Sequence, residues 1–126
     1  MRPKVVLDTN MLLVPFQFGV DIFDEIERIL PGAEVYVPEN VLRELEKLGG
    51  EGIKMKKFVG LAKKLIEMKG VVILPTPPEE AVDTTLARLA REGFIVATND
   101  RELKRKVWSV GGKVLALRER SHLELT

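Results

Sequence analysis

Apolar and polar positions switch along the chain between a short β-rich pattern and a helical period of three to four residues. Lys4–Leu7 reads as a first strand. Over Asp21–Leu30, the residues Ile22, Phe23, Ile26, Ile29 and Leu30 share one helical face, and Pro31-Gly32 stops the helix. Glu34–Val37 is a second strand. Pro38 then opens a helix whose apolar stripe is Val41, Leu42, Leu45 and Leu48. Gly49-Gly50-Glu51-Gly52 breaks it, and Ile53–Met68 predicts a further helix with Phe58, Leu61, Ala62, Leu65 and Ile66 inward. Val71–Leu74 is a continuous apolar run of the kind found in a sheet covered on both faces. After the stiff loop Pro75-Thr76-Pro77-Pro78 come a helix over Glu79–Glu92, a strand over Phe94–Ala97, a helix over Arg101–Val110 and a strand over Lys113–Leu117. Residues 118–126 read as a polar, frayed tail.

Strands that alternate with helices predict an α/β fold with a parallel sheet of about five strands and helices on both faces. Such sheets place ligands beyond the carboxyl ends of their strands, where the strand order reverses. Four acids fall near that edge. Asp8 follows the first strand and Asp100 follows the fourth. Glu44 lies in the second turn of the helix after the second strand, and Asp83 in the second turn of the predicted helix after the third. Each has a simpler explanation taken alone. Asp8 and Asp100 are suited to cap helices, Glu44 to pair with Lys47 at i+3, and Asp83 to face solvent. Independent capping does not require all four to share one edge.

Composition narrows the chemistry. A chain of 126 residues fits one domain, spanning 1–126. It has no cysteine, which excludes disulfides, thiolate metal sites and a cysteine nucleophile. Its single histidine, His122, falls in the tail, which argues against histidine acid–base catalysis. Carboxylates crowded into one pocket cannot all ionise without compensation. A hard divalent cation with oxygen ligands, Mg²⁺ or Mn²⁺, resolves that conflict and activates a bound water. With no apolar run long enough for a secretory leader or a membrane span, the expectation is a soluble, cytoplasmic protein.

The order of these acids and their neighbours resembles the PIN-domain ribonuclease family. Val5-Val6-Leu7-Asp8-Thr9-Asn10 is similar to that family's first motif. Val37 to Leu45, with its helical Glu44, is similar to the second, Val82-Asp83-Thr84-Thr85-Leu86-Ala87 to the third, and Val96 to Leu103 to the fourth. The resemblance covers nearly the whole chain in the right order. It implies a three-layer α/β/α PIN-like fold in which Asp8, Glu44, Asp83 and Asp100 hold Mg²⁺ or Mn²⁺. Asn10 and Thr98 or Asn99 would support that site. The implied reaction is hydrolysis of single-stranded RNA to a 5′-phosphate and a 3′-hydroxyl, often by a homodimer. Two branches are implied, VapC-type toxins held by an antitoxin and nucleases of rRNA processing that act with ribosome-assembly partners. Asp-Thr-Asn, Val20-Asp21-Ile22 and the run Asp100–Arg105 lean slightly to processing.

A net charge of +1 carries no global signal for nucleic acid, so RNA contacts must be local. Arg101, Lys104 and Arg105, with Lys106 and Lys113 beyond, follow the fourth acid; Lys54, Lys56, Lys57, Lys63, Lys64 and Lys69 form a second run. Arg101 adjoins the acids and is the best single candidate. Met11–Phe18 is unusually apolar for a loop and is expected to pack partly on a partner subunit, while Trp108 suits a core or a dimer contact. A phosphatase that starts with a strand and an aspartate needs a second aspartate two residues on, and Asn10 stands there. The rival of another class is a non-catalytic RNA-binding or scaffold module on the same fold. Retention of all four acids argues against it.

Overall fold

All five expected strands join through helical crossovers into a parallel sheet, and a sixth, unexpected one pairs antiparallel with the fifth as a hairpin. A computed structural model describes all residues, Met1–Thr126. The strands are β1 (Lys4–Leu7), β2 (Glu34–Pro38), β3 (Val72–Leu74), β4 (Ile95–Ala97), β5 (Val114–Arg118) and β6 (His122–Leu125), in the order β3-β2-β1-β4-β5-β6. Only the β5–β6 pair is antiparallel. The helices are α1 (Val14–Phe18), α2 (Ile22–Ile29), α3 (Glu39–Leu48), α4 (Ile53–Met68), α5 (Val82–Arg91) and α6 (Arg101–Ser109).

Side chains alternate across the pleat, and the two faces of β1 show it. Val5 and Leu7 join Ile22, Val41, Leu45 and Ala62 under α2, α3 and α4. Val6 joins Leu86, Leu103 and Val107 under α5 and α6. All three β1 residues are fully buried, and each such side chain is worth about 1.5–3 kcal/mol of transfer free energy. The result is three layers, helix–sheet–helix, with β1 at the centre. The chain runs outward from β1 to β2 and β3 on one side, and from β4 to β5 and β6 on the other. A switch point therefore lies between the carboxyl ends of β1 and β4.

Several expectations need correction. The tail is not frayed. His122–Leu125 forms β6, Leu123 is fully buried, and Glu25 of α2 accepts the Leu123 N–H at 2.9 Å. Met11–Phe18 is a helical turn followed by α1 rather than a loop. Met11, Leu12, Leu13 and Val14 are buried in this chain's own core, while Pro15 and Phe16 are half-buried and Phe18 is exposed. Val71–Leu74 shortens to β3, which is an edge strand with Val72 and Ile73 exposed, not a strand covered on both faces. On α4 the expected inward face holds at Ala62 and Ile66, with Phe58 and Leu65 half-buried, and differs at Val59 and Leu61. Val59, Ala62 and Ile66 are buried while Leu61 is exposed. Trp108 is exposed, and its indole N–H donates to the Thr126 carbonyl at 3.3 Å, so it is no core residue. The helix expected from Glu79 begins at Val82, because Glu80 is held outside it as acceptor for Thr85 and Arg88. That moves Asp83 into the first turn, closer to the carboxyl edge.

No helix is long and apolar enough to cross a membrane.

Candidate functional site

The acids meet at the switch point. Asp8, Glu44, Asp83 and Asp100 all line one small cleft of about 80 Å³, together with Thr9, Asn10 and the apolar side chains of Val82, Leu86 and Leu103. The cleft has a strand-borne half and a helix-borne half.

Strand ends build the first half. β1 and β4 pair in parallel register, Leu7 opposite Ala97, and the Asp8 N–H continues the ladder to the Ala97 carbonyl at 3.2 Å. Asp8 is only 7 % exposed. Its Oδ1 accepts the Met11 N–H at 2.7 Å and its Oδ2 accepts the hydroxyl of the fully buried Thr98. The same Thr98 Oγ accepts the Asp100 N–H at 3.0 Å, so one hydroxyl ties the two strand-borne acids together. Asp100 also caps α6, its Oδ1 accepting the Leu103 N–H at 2.9 Å. The capping explanation thus holds for Asp100, and Asp8 likewise accepts from the turn that follows it. In neither case does it remove the acid from the cleft.

Helix phase builds the second half. Glu44 lies three residues after Val41 and four after Asn40, both buried, so it sits at the rim of the buried face. It is exposed and has no ion pair. The expected pairing with Lys47 does not form. Asp83 precedes buried Leu86 by three residues on α5, and its Oδ2 lies 3.7 Å from the Lys106 ammonium of α6.

Burial pushes the Asp8 carboxyl up to about 6. The hydrogen bonds from Thr98 and Met11 oppose this, and the nearby charges of Asp100 and Glu44 reinforce it. No side-chain cation stands against Asp8. This is the electrostatic state of a buried carboxylate that lacks a counter-charge of its own. The donor set is all oxygen, which suits a hard divalent cation. No group of three or more acidic or histidine side chains is arranged to hold one ion. An Mg²⁺-like ion does not require that, because it is bound through one or two carboxylates and keeps several waters. Thr9 Oγ1, buried beside the cleft, has no hydrogen-bond partner.

The other expected site residues divide. Asn10 lines the cleft and is exposed. Thr98 is placed to orient Asp8. Asn99 is not in the cleft. Its Oδ1 accepts the Leu117 N–H at 2.8 Å and ties the β4–α6 loop to β5, so its side chain is committed elsewhere. Arg101 and Arg105 are exposed and Lys104 half-buried on α6, and none has an ion-pair partner. Lys106, by contrast, reaches an acid of the cleft. Its spacing from Leu103, one turn earlier on the inward stripe, was the signal available for it. The largest cavity, about 620 Å³, lies between Phe16, Phe58 and the Gly52 turn and shares no residue with the cleft. Chemistry, not size, selects the cleft.

A mostly parallel three-layer α/β fold with an acidic crevice at its switch point defines the class. The chain belongs to the PIN-like domain family, whose profile matches residues 5–120. It is 30% identical to Ribonuclease VapC4 of Methanocaldococcus jannaschii over 126 residues, covering 97% of this chain and 95% of that protein. Its fold is similar to the PIN domain endonuclease Utp24, with a TM-score of 0.77 at 23% identity over 96% of this chain and 90% of that one. It is also similar to a domain of a functionally unknown protein from M. jannaschii, with a TM-score of 0.63 at 20% identity, covering 92% and 91% of the two chains.

Proposed function

We propose that this chain is a metal-dependent ribonuclease that hydrolyses phosphodiester bonds in single-stranded RNA within the acidic cleft. The observation that carries this reading is Asp8, buried, fixed by Thr98 and Met11 and left without a cation, facing Asp100, Glu44 and Asp83. The relative named a ribonuclease, matched over nearly its whole length, supports RNA as the substrate.

Asp8 and Asp100 would hold a divalent cation from the strand side, and Glu44 and Asp83 from the helix side. Mg²⁺ or Mn²⁺ held there supplies a water of lowered pKa and offsets charge on the phosphoryl group. The residues of the chain prepare that event. Thr98 and the Met11 amide fix the rotamer of Asp8, so its outward lone pairs are aimed before substrate arrives. Leu86, Val82 and Leu103 wall the cleft with apolar surface, which lowers the local dielectric and strengthens every charge interaction inside. Asn10, exposed at the rim, is placed to orient a water or a phosphate oxygen. Arg101, Lys104 and Arg105, beside the Asp100 cap, would receive phosphates of the strand. By the resemblance to the PIN-domain family, hydrolysis would leave a 5′-phosphate and a 3′-hydroxyl.

The test is cleavage of an end-labelled single-stranded RNA with Mn²⁺ or Mg²⁺, with and without EDTA, beside Asp100→Asn. Metal-dependent cutting lost in the variant supports the reading. RNA bound without cutting favours the binding-module rival, and cutting that survives both EDTA and the substitution ends the acidic-site reading.

A further inference from the structure

A second cavity of about 210 Å³ opens directly beside the cleft and shares Glu44 and Val82 with it. One wall is α3, with the buried Asn40 and the exposed Arg43 and Lys47. The other is the loop before α5, with Pro78, Glu80 and Ala81.

Arg43 and Lys47 stand at i and i+4, so they project from one face of α3. Neither has an ion-pair partner. Of the acids around them, Glu44 lines the same notch and forms no ion pair, and the others are occupied. Glu80 accepts from Thr85 and from Arg88, the latter at 2.8 Å, Glu46 is paired with Lys63, and Glu39 accepts the Thr76 N–H at 2.9 Å. The Arg43 guanidinium makes one hydrogen bond, a long one of 3.4 Å to the Thr76 hydroxyl, which leaves most of its donors free. Like charges one turn apart destabilise a helix. The chain keeps such a pair, with no ion pair to either member, at the mouth of an acidic cleft.

The walls are fixed before anything binds. The Asn40 side-chain amide donates to the Glu80 carbonyl at 3.1 Å and to Thr85 Oγ at 2.7 Å, and the Asn40 N–H donates to Thr76 Oγ at 3.2 Å. The Glu80 carbonyl can only accept, so the amide nitrogen must face it and the side chain is held in one orientation. Pro77 and Pro78 stiffen the loop further. A cavity with braced walls and two free cations needs little reorganisation to receive an anion.

We propose that this notch is the subsite for a phosphate of the RNA strand one nucleotide away from the scissile bond, gripped by Arg43 and Lys47. It rests on the ribonuclease reading above. A planar guanidinium matches a phosphate through two parallel hydrogen bonds, and the lysine adds a point charge. The shared Glu44 then lies between the held phosphate and the reacting one, so the notch sets which bond of the strand reaches the acids.

The test compares the wild type, Arg43→Gln/Lys47→Gln and Arg2→Gln/Lys4→Gln. The last variant carries the same charge change before and within β1, at the opposite edge of the sheet. Cleavage of a 12-nucleotide single-stranded RNA with Mn²⁺ is followed as kcat/KM against salt, then repeated on RNAs shortened singly from each end towards the cut. The expected result is a loss of about 10- to 100-fold for the notch variant at low salt. Its salt slope should fall by about 0.7 for each phosphate no longer neutralised. Shortening from one end only should erase the difference from wild type. The control variant should match wild type. If the wild type cuts RNA while the notch variant matches the control in rate and slope, this inference fails and the ribonuclease reading stands. A penalty that persists at every length, from both ends, also overturns it, because the cations then act as a diffuse field. A wild type that cuts no RNA with any divalent cation overturns both.

Discussion

Asp8 and Glu25 are both shielded carboxylates that accept a backbone N–H from a distant or newly started segment, yet their environments shift them in opposite directions. Burial pushes Asp8 up to about 6 against its hydrogen bonds. At Glu25, the Arg28 guanidinium and the Leu123 N–H pull the carboxyl down to about 2. Glu25 and Arg28 meet through two hydrogen bonds of 3.0 and 2.9 Å and together cover the outer edge of β6. Glu25 accepts the Leu123 N–H, and Arg28 donates to the Leu123 carbonyl at 3.3 Å. An exposed strand edge is a template for unwanted pairing, and here a helix closes it. The brace carries its own cation and works for the fold. The cleft has a carboxylate with none and is costly to the fold, a combination that functional sites share.

The sharpest test replaces the acid that carries the cost. A carboxyl raised from 3.8 to about 6 takes up protons in the folded state before the unfolded state does. Stability is therefore fully present below pH 4 and falls as pH rises through about 6. A shift of that size corresponds to about 3 kcal/mol. Urea unfolding of the metal-free wild type should show this decline, and Asp8→Asn should flatten it and be the more stable protein at pH 7.5. The same variant should lose more than about 100-fold in RNA cleavage, since even outer partners of metal ligands cost 10- to 100-fold. A variant that is both less stable at neutral pH and still active would break the contrast.

Thr98→Val comes next. Valine keeps the volume and removes the hydroxyl that links Asp8 to Asp100. The expected loss is about 10- to 100-fold in cleavage rate. Metal affinity, read by Mn²⁺ titration of the melting temperature, should weaken with it. The wild type should gain about 2.7 kcal/mol at a hundredfold excess of Mn²⁺ over Kd. Asp8→Asn should gain much less. An equal gain in both would place the ion away from the cleft.

The two regions were not equally legible from sequence. Asp8-Thr9-Asn10 and Thr98-Asn99-Asp100 follow strand ends directly, so local pattern alone put their acids at the carboxyl edge. The brace joins residues 98 apart, and no local rule links Glu25 to Leu123. The hairpin that delivers Leu123 also lacks the usual turn chemistry. Its turn uses Glu119 and Arg120 at φ of 53° and 54°, a left-handed conformation that Asn-Gly adopts without strain. The alternation His122-Leu123-Glu124-Leu125 was a strand signal all the same, and a polar reading of the tail passed over it. Asn99 looked like a cleft residue by position in the chain. Its long-range bond to Leu117 depends on how β5 packs, which the local motif does not encode.

Glu25→Gln gives the smallest effect and the cleanest separation of the two regions. Glutamine keeps the acceptor for the Leu123 N–H but removes the charge that holds Arg28 in its solvent-exposed fork, so the protein should lose a small amount of stability at pH 7.5. Because the folded carboxyl lies near 2, the wild type has this contribution at every pH above about 4.5 and loses it as pH falls towards 2. Urea curves for wild type and variant should therefore separate at neutral pH and converge in strong acid, the reverse of the Asp8 trend. Hydrogen exchange at the Leu123 amide should quicken, because β6 then opens without global unfolding. RNA cleavage should not change, since neither Glu25 nor Leu123 lines the cleft. A drop in cleavage with no change in overall stability would mean that the hairpin helps to position the cleft through β5 and the Asn99 bond. Fold brace and acid cleft would then be one coupled unit rather than two.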